Sequence, residues 1–544
     1  MYIYAFFFKR KGLQRPDGSD LQLGDRVVCD NHHAVIKFIG AVPPTAGIWL
    51  GVEWDDPQRG KHNGSHNGKC YFKTSHPKSG SFVRSNKVDG GITALRALHE
   101  RYGLKNDEEA GVKTEELYVL DQYNNQTVVE MVGAKKVNLL QSQFNKLKKI
   151  SFFDMRVYHA GPDGEIGRLC PCISDLDIGR CLFPSWERVA QMASQFPNLK
   201  ELNVSENRLS IPKDPSSLSS NFSRLRNLTM NRVSLNWKEV LTCCSMFPCL
   251  DELHIGFNNI SALSEDIHSI MGLKTLDLMT NAIGDWSEVL KLGDLPRLET
   301  LLVSENKIKS LFFPDCGPNE ITTSFPKLKG LVFKRNEISE WSSINELNKL
   351  QHLEELQLAG NPIVASYNAE TVRQLLVAKI SNLKLISRTP ITYEERKGAE
   401  IDYLKRFGTE WKKEGGSSDS AKNKPSEAFV ANHPRYKIIA DKWGAPEDSE
   451  LGEKSSALKD NLIAVKVFSA QHPERGMLSK KLPGTMSIQK LKTLIQRLYK
   501  MSSEPTLTYK SHKAADGPVI ELDNDLRQLG FFSIETGDSL LVSW

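Results

Sequence analysis

Leu273-Lys274-Thr275-Leu276-Asp277-Leu278-Met279-Thr280-Asn281-Ala282-Ile283 sets apolar residues at its first, fourth and sixth positions, asparagine at the ninth and an apolar residue at the eleventh. The pattern returns at Leu199-Leu202-Val204-Asn207-Leu209, Leu250-Leu253-Ile255-Asn258-Ile260, Leu298-Leu301-Val303-Asn306-Ile308, Leu328-Leu331-Phe333-Asn336-Ile338 and Leu353-Leu356-Leu358-Asn361-Ile363. Degenerate copies start at Leu147, Ile173 and Leu225, where Met155, Cys181 and Val233 stand in the asparagine position. Nine starts, 23 to 30 residues apart, predict a solenoid of short strands with return segments.

Alternation along each strand sends the fourth and sixth residues inward, and stacking joins them into one apolar core. A turn inside such a coil leaves backbone groups dry, and a carboxamide both donates and accepts there. Asn207, Asn258, Asn281, Asn306, Asn336 and Asn361 are therefore expected to form an internal ladder. The pattern is that of leucine-rich repeats, whose concave face here carries Asn203, Asp251, His254, Asp277, Glu299 and Lys329, mixed in sign. Leu311-Phe312-Phe313-Pro314-Asp315, in the longest interval, is expected to protrude. Asn382 to Ile386 reads as a closing half repeat and Tyr393 to Leu404 as an amphipathic capping helix, ending the array near residue 412. Lys413-Glu414-Gly415-Gly416-Ser417-Ser418-Asp419-Ser420 has linker composition and predicts a mobile hinge.

Upstream, Gly60-Lys61-His62-Asn63-Gly64 lies between Trp49-Leu50-Gly51-Val52-Glu53 and Tyr71-Phe72, with Ser81-Phe82-Val83-Arg84 beyond. Two glycines permit conformations that a Cβ opposes, so the amides between them are expected to converge on an anion. Lys61 adds charge, and His62 and Asn63 add hydrogen-bond groups. Trp49 and Phe82 either line an apolar wall beside the loop or pack a small core, and Arg84 adds further charge. The ligand that fits is a peptide carboxylate preceded by acidic residues and an aromatic end.

Downstream of one helix expected near Glu427 to Trp443, Ile463, Val465 and Val467 alternate as in a half-buried strand. A second strand is expected near Met477 to Leu482, then a helix capped by Ser487 with Ile488, Leu491, Ile495 and Leu498 on one face. Leu507 to Tyr509, Val519 to Leu522 and Ser539 to Trp544 supply later strands, an order that predicts a β-grasp fold.

Composition narrows the function. The 544 residues, 40% hydrophobic, suit three or more domains, and a net charge of +5 with no long basic cluster predicts a protein partner, with no nucleic acid and no membrane. Nine cysteines without framework spacing fit a reducing, cytoplasmic setting, and Cys170-Pro171-Cys172 lacks the second ligand pair a metal site needs. The apolar stretch Met1 to Phe8 precedes its basic residues, the reverse of a secretory signal. No Walker, G-x-S-x-G or H-E-x-x-H motif is present, so no enzymatic activity and no cofactor is expected.

Residues 22–89 resemble a CAP-Gly domain, through Gly24-Asp25-Arg26-Val27, the Trp49 segment, Gly60 to Ser65, Gly68, Tyr71-Phe72 and Phe82-Val83-Arg84. The family's usual loop is Gly-Lys-Asn-Asp-Gly, so His62 and Asn63 depart from it, as does Pro44 where many members place a groove phenylalanine. Leu482-Pro483-Gly484-Thr485-Met486-Ser487 and Gly537 to Val542 resemble a ubiquitin-like domain, here ending at Trp544 without the diglycine that conjugation uses. The fold class read from the chain is thus multidomain: a small β-rich CAP-Gly domain, an α/β leucine-rich repeat solenoid and a β-grasp ubiquitin-like domain. Its parts are an N-terminal extension (1–21), the CAP-Gly domain (22–89), a connecting segment (90–146), repeats with their cap (147–412), a linker with a short helix (413–460) and the ubiquitin-like domain (461–544).

In this order the three modules resemble the tubulin-folding cofactors. That resemblance implies a cytoplasmic, cytoskeleton-associated chaperone of α-tubulin that joins other cofactors and β-tubulin in a larger assembly. It implies tail contacts from Gly60, Lys61, His62, Asn63, Gly64, Trp49, Phe82 and Arg84. The alternative is a ubiquitin-pathway adaptor whose repeats hold a client while the C-terminal domain meets the proteasome.

Overall fold

The computed structural model describes residues 13–104, 118–120, 126–128, 134–419, 421–447, 451, 462–469, 471–501, 503–512, 519–525 and 527–544. Residues 1–12 of the extension, much of the connecting segment and most of 448–461 lie outside the described residues. Two compact units divide the chain, one comprising Met1–Asp315, Ile321–Glu340 and Leu350–Ala365, the other Cys316–Glu320, Trp341–Lys349 and Ser366–Trp544.

The first unit opens with a sheet of four antiparallel strands, β1 (Arg26–Cys29), β2 (His32–Val42), β3 (Thr45–Trp54) and β4 (Gly80–Arg84), in that order. One face is apolar: Val27, Ala34, Ile36, Leu50, Val52 and Trp54 are buried together. Leu13 and Leu21 close the same core, so residues read as an extension belong to its packing. A short strand, β5 (Ile92–Thr93), follows.

Next come the repeats. Nine parallel strands run from β6 (Lys149–Ser151) to Glu355–Gln357, each centred on one apolar residue. Ile150, Leu176, Leu202, Leu228, Leu253, Leu276, Leu301, Leu331 and Leu356 stand in register and are buried. Burying each such side chain stabilises the coil by about 1.5–3 kcal/mol before the entropy of ordering is subtracted. β7 (Val157–His159) lies outside this column and pairs in parallel with β5.

The asparagine ladder is present. Asn306 Nδ2 donates to Leu278 O of the preceding repeat (3.0 Å), and its Oδ1 accepts from Ile283 N (3.3 Å). Asn207, Asn258, Asn281, Asn336 and Asn361 make equivalent bonds. Where the ladder degenerates, the Cys181 thiol donates to Phe152 O (3.1 Å), and burial pushes that thiol up to about 12. On the concave face, charges pair between neighbouring repeats: Lys274 with Asp251 (3.4 Å), His254 with Asp277 (3.2 Å) and Lys329 with Glu299 (2.8 Å). Of the segment expected to protrude, Phe312, Pro314 and Asp315 are exposed, while Leu311 and Phe313 are buried, Phe313 packing edge-on to Trp286.

The second unit corrects the reading of the linker. Helix α1 (Tyr393–Lys413) is followed by a reverse turn, and within the segment expected to be a mobile hinge Gly416 and Ser417 are half-buried while 413–415, Ser418 and Asp419 are exposed. Gly416 lies where a Cβ would come within 2.2 Å of Trp411 Nε1, and Gly415, at φ +93°, accepts from Lys424 N (3.0 Å). The glycines serve close approach to the indole and a positive φ, which composition alone does not separate from flexibility. The single helix expected near Glu427 to Trp443 is two, α2 (Glu427–Asn432) and α3 (Tyr436–Trp443), since Pro434 disfavours helical geometry at His433. Phe429, Tyr436 and Ile439 pack with Tyr403, Leu404 and Trp411 of α1. A buried polar seam fixes their register: Lys379 Nζ donates to Asn345 Oδ1 (2.8 Å) and Asn432 O (3.0 Å), and Arg435 reaches Glu400 (3.0 Å). Burial pushes the Lys379 ammonium down to about 8.

The C-terminal region is a five-stranded sheet with helix α4 (Ile488–Tyr499) across it. Its first strand, Leu462–Phe468, lies between Leu478–Pro483 and the parallel last strand, Ser539–Ser543, as the β-grasp fold requires. Ser487 caps α4 through Lys490 N (3.4 Å), and Ile488, Leu491 and Ile495 face the core with Val465, Val467 and Leu540.

The ladder makes a direct prediction. Asn306→Ala strands the Ile283 amide in a dry interior and takes from Leu278 O one of its two donors, the Asn281 Nδ2 bond remaining; this should cost about 1–3 kcal/mol, whereas Lys309→Ala on the exposed surface should cost under about 0.5. Denaturant midpoints of the two variants, compared at equal slope, check this.

Candidate functional site

The face of the four-stranded sheet opposite the apolar core is aromatic. Strand pairing puts Trp49 opposite Arg84 and Gly51 opposite Phe82, with Gly40 and Phe38 of β2 beside them on the same face. Trp49 and Phe82 are both half-buried, and the core lies on the other side, so the structure assigns these two residues to the open face. Phe82 is the hub of a ring cluster. Its centroid lies 5.4 Å from Tyr71, 5.5 Å from Phe72, 6.1 Å from Phe38 and 5.0 Å from His62. Glycine makes room for these rings: a Cβ at Gly51 would meet Phe72 at 2.4 Å, and one at Gly40 would meet Phe38 at 2.7 Å.

Sequence reasoning missed Phe38. Ala34 and Ile36 face the core, and strict alternation would carry Phe38 there with them. An irregularity in the β2 to β3 pairing between Ile36 and Phe38 turns the ring to the opposite face. Lys69, whose ammonium lies 5.0 Å from the Tyr71 ring, is a further cation that the reading left out.

Over this face lies the loop Gly60 to Gly64. Both glycines are required by space: a Cβ at Gly60 would stand 2.4 Å from Lys78 O, and one at Gly64, at φ +95°, would stand 2.0 Å from Phe72 O. The expected convergence of amides on an anion is not what forms. Lys61 and His62 N–H both donate to Gly80 O (2.7 and 3.1 Å), Gly64 N–H to His62 Nδ1 (3.0 Å) and Ser65 N–H to Asn63 Oδ1 (3.2 Å). The loop uses these donors to hold its own shape, so recognition falls to side chains. Lys61 and Asn63 are exposed, and with Oδ1 engaged Asn63 keeps its amide nitrogen as a donor. His62 is fixed between the loop and the rings, so its Nε2 is the remaining donor.

Trp49 and Arg84 form the other end of the face. The guanidinium lies 3.8 Å above the indole centroid and donates to Ala46 O (2.9 Å), while Trp49 Nε1 donates to Thr45 Oγ1 (2.8 Å). The cation is held flat on an apolar plate, an arrangement suited to an acidic peptide with an aromatic end.

This geometry, on a small β domain placed ahead of a repeat solenoid and a β-grasp domain, defines a domain of the CAP-Gly class in a multidomain protein. Residues 23–88 match the family model described as CAP-Gly domain, and residues 275–414 match that described as leucine-rich repeat. The chain is 44% identical over 522 residues to tubulin-specific chaperone E of Xenopus laevis, covering 95% of this chain and 98% of that protein. To tubulin-specific chaperone E of Homo sapiens it is 42% identical over 525 residues, covering 96% and 98%. The chain belongs to the tubulin-specific chaperone E family. The solution structure of the C-terminal ubiquitin-like domain of mouse tubulin-specific chaperone e is 45% identical, with a TM-score of 0.15, and covers 17% of this chain and 94% of its own.

Protonation of His62 should open the loop. Burial, with His66 and Lys61 nearby, holds its pKa below the ordinary 6.5, and a charged ring cannot accept from Gly64 N–H as the neutral ring does. Its contribution to stability is complete above pH 6.5 and is lost as pH falls through the lower folded-state value. The melting temperature of the first unit should therefore drop from pH 7.5 to 5, and His62→Asn should flatten part of that drop. A remainder should persist through His33, whose pKa burial also lowers.

Proposed function

We propose that this chain is a tubulin chaperone that holds the acidic, aromatic-ended tail of α-tubulin on the Phe82 face while the folded body of α-tubulin meets the repeats. With other tubulin-folding cofactors and β-tubulin it would then assemble or dissociate the αβ heterodimer. The observation that carries this reading is the pairing of exposed Lys61 and Asn63 with an aromatic wall on a loop whose shape is already satisfied internally. A preformed loop loses little entropy on binding, so a few charge-assisted hydrogen bonds suffice. Membership of a family whose relatives are called tubulin-specific chaperones supports tubulin as the client.

Avidity explains why a weak groove would be enough. Tethering the tail turns docking of the body into an intramolecular event, which raises overall affinity by roughly 10²–10⁴ without any new contact. No catalytic step is assigned to this chain.

Lys61→Ala/Asn63→Ala should weaken binding of an α-tubulin tail peptide about tenfold or more, the loss expected for one or two charge-assisted bonds. Phe82→Ala should do the same by removing the hub of the wall. A peptide lacking its terminal aromatic residue should bind wild type no better than the full peptide binds Phe82→Ala. Titration calorimetry with the three proteins and two peptides checks this, and equal affinities throughout would reject the groove.

A further inference from the structure

The CAP-Gly region and the first repeats are joined through four separate segments. After β1 to β4, Gly91 sits at φ +85°, where a Cβ would fall 2.2 Å from Arg156 O, and this close approach lets β5 pair with β7. Ile92 N–H donates to Arg156 O (3.1 Å), and Leu182 N–H donates to Val157 O (2.7 Å) from the other side. Arg156 donates to Asp89 Oδ2 (2.7 Å) and to Asn31 Oδ1 (3.2 Å). Tyr158 donates to the Asp17 carboxylate, bonds Ser19 Oγ (2.9 Å) and carries the Arg15 guanidinium 4.0 Å from its ring centroid. Val28, Tyr158 and Leu182 are buried together beside these polar contacts.

The fourth contact reaches the base of the binding loop. Arg208, in the repeat that begins at Leu199, donates to Asp55 O (2.6 Å). The Asp55 carboxylate is held in turn by both terminal nitrogens of the buried Arg26. Four residues separate Asp55 from Gly60, so the turn that launches the loop is anchored to the solenoid.

Such an arrangement is not that of a module on a flexible tether. A tether samples a volume, and the effective concentration it gives falls with its length; a fixed module gives the highest value at one span and almost none elsewhere. We infer that Arg156, Tyr158 and Arg208 are positioning residues that lock the peptide groove to the repeats, making one rigid two-point receptor for a folded protein whose acidic tail leaves its body at a matching distance. Such a receptor favours the whole client over a free tail and over other proteins with similar tails. The inference rests on the groove reading above, but it can fail separately from it.

The test uses the full chain as wild type, Arg156→Ala/Arg208→Ala and Arg208→Lys. Each is titrated with an isolated α-tubulin tail peptide and with intact α-tubulin, and hydrogen exchange is followed at Ile92 and Leu182. The double variant is expected to keep the peptide affinity of wild type, to lose roughly tenfold or more against intact α-tubulin, and to exchange faster at both amides. Arg208→Lys, which keeps the charge facing Asp55, is expected to lie between. Unchanged peptide affinity also shows that the groove of the variant is folded. Equal loss for peptide and intact α-tubulin, or no loss for either, would overturn the rigid-receptor inference, as would rapid exchange at Ile92 in wild type. Failure of wild type to bind the peptide at all would instead reject the groove.

Discussion

A repeat coil buries backbone that water cannot reach, and the asparagine ladder is the constraint on which the rest of this structure depends. Each carboxamide closes its own turn and also reaches one repeat back, as Asn306 does to Leu278 O and Ile283 N. Because an unmet buried carbonyl or amide costs about 1–3 kcal/mol, adjacent repeats cannot slip without losing several such bonds together. The ladder therefore holds the leucine column in register, and the column in turn provides a rigid edge at its start. Arg156, Tyr158 and Arg208 project from that end of the array.

The binding loop obeys the same accounting of polar groups with a different result. Donors that might have been kept for a ligand are used internally, through Gly80 O, His62 Nδ1 and Asn63 Oδ1. A loop so satisfied is stiff, which in the proposed function would lower the entropic cost of capture and leave selectivity to Lys61, Asn63 and the rings around Phe82. His62 shows the balance most clearly: its ring packs against Phe72 and Phe82 while its nitrogen takes the Gly64 amide, so this departure from the usual loop contributes shape.

Paired charges along the concave face leave the repeats a surface of low net demand. Lys329 with Glu299 is an exposed pair worth little in stability, Lys274 with Asp251 is a half-buried one, and both spare the face the repulsion that unpaired like charges would bring. Affinity for a large client would then come from shape and from the fixed relation to the groove.

Periodicity determined the solenoid, because nine starts at near-constant spacing can bury their leucines and satisfy their turns in one way only. It determined the β-grasp region for a similar reason, since alternation in Ile463 to Val467 and the one-sided helix after Ser487 each specify a buried face. Local chemistry also identified the loop, its two glycines and the residues that cluster there. Tertiary structure decided what local pattern leaves open. Whether Phe38 joins the core or the groove depends on an irregularity in strand pairing, and whether Gly415 and Gly416 flex or pack depends on Trp411 being beneath them. Neither feature is written in composition, because each is a contact between residues that meet only after the chain has folded. The same holds for Asp17, Asp55 and Asp89, ordinary surface carboxylates in the sequence, which become the seam between groove and repeats once Tyr158, Arg208 and Arg156 are brought to face them.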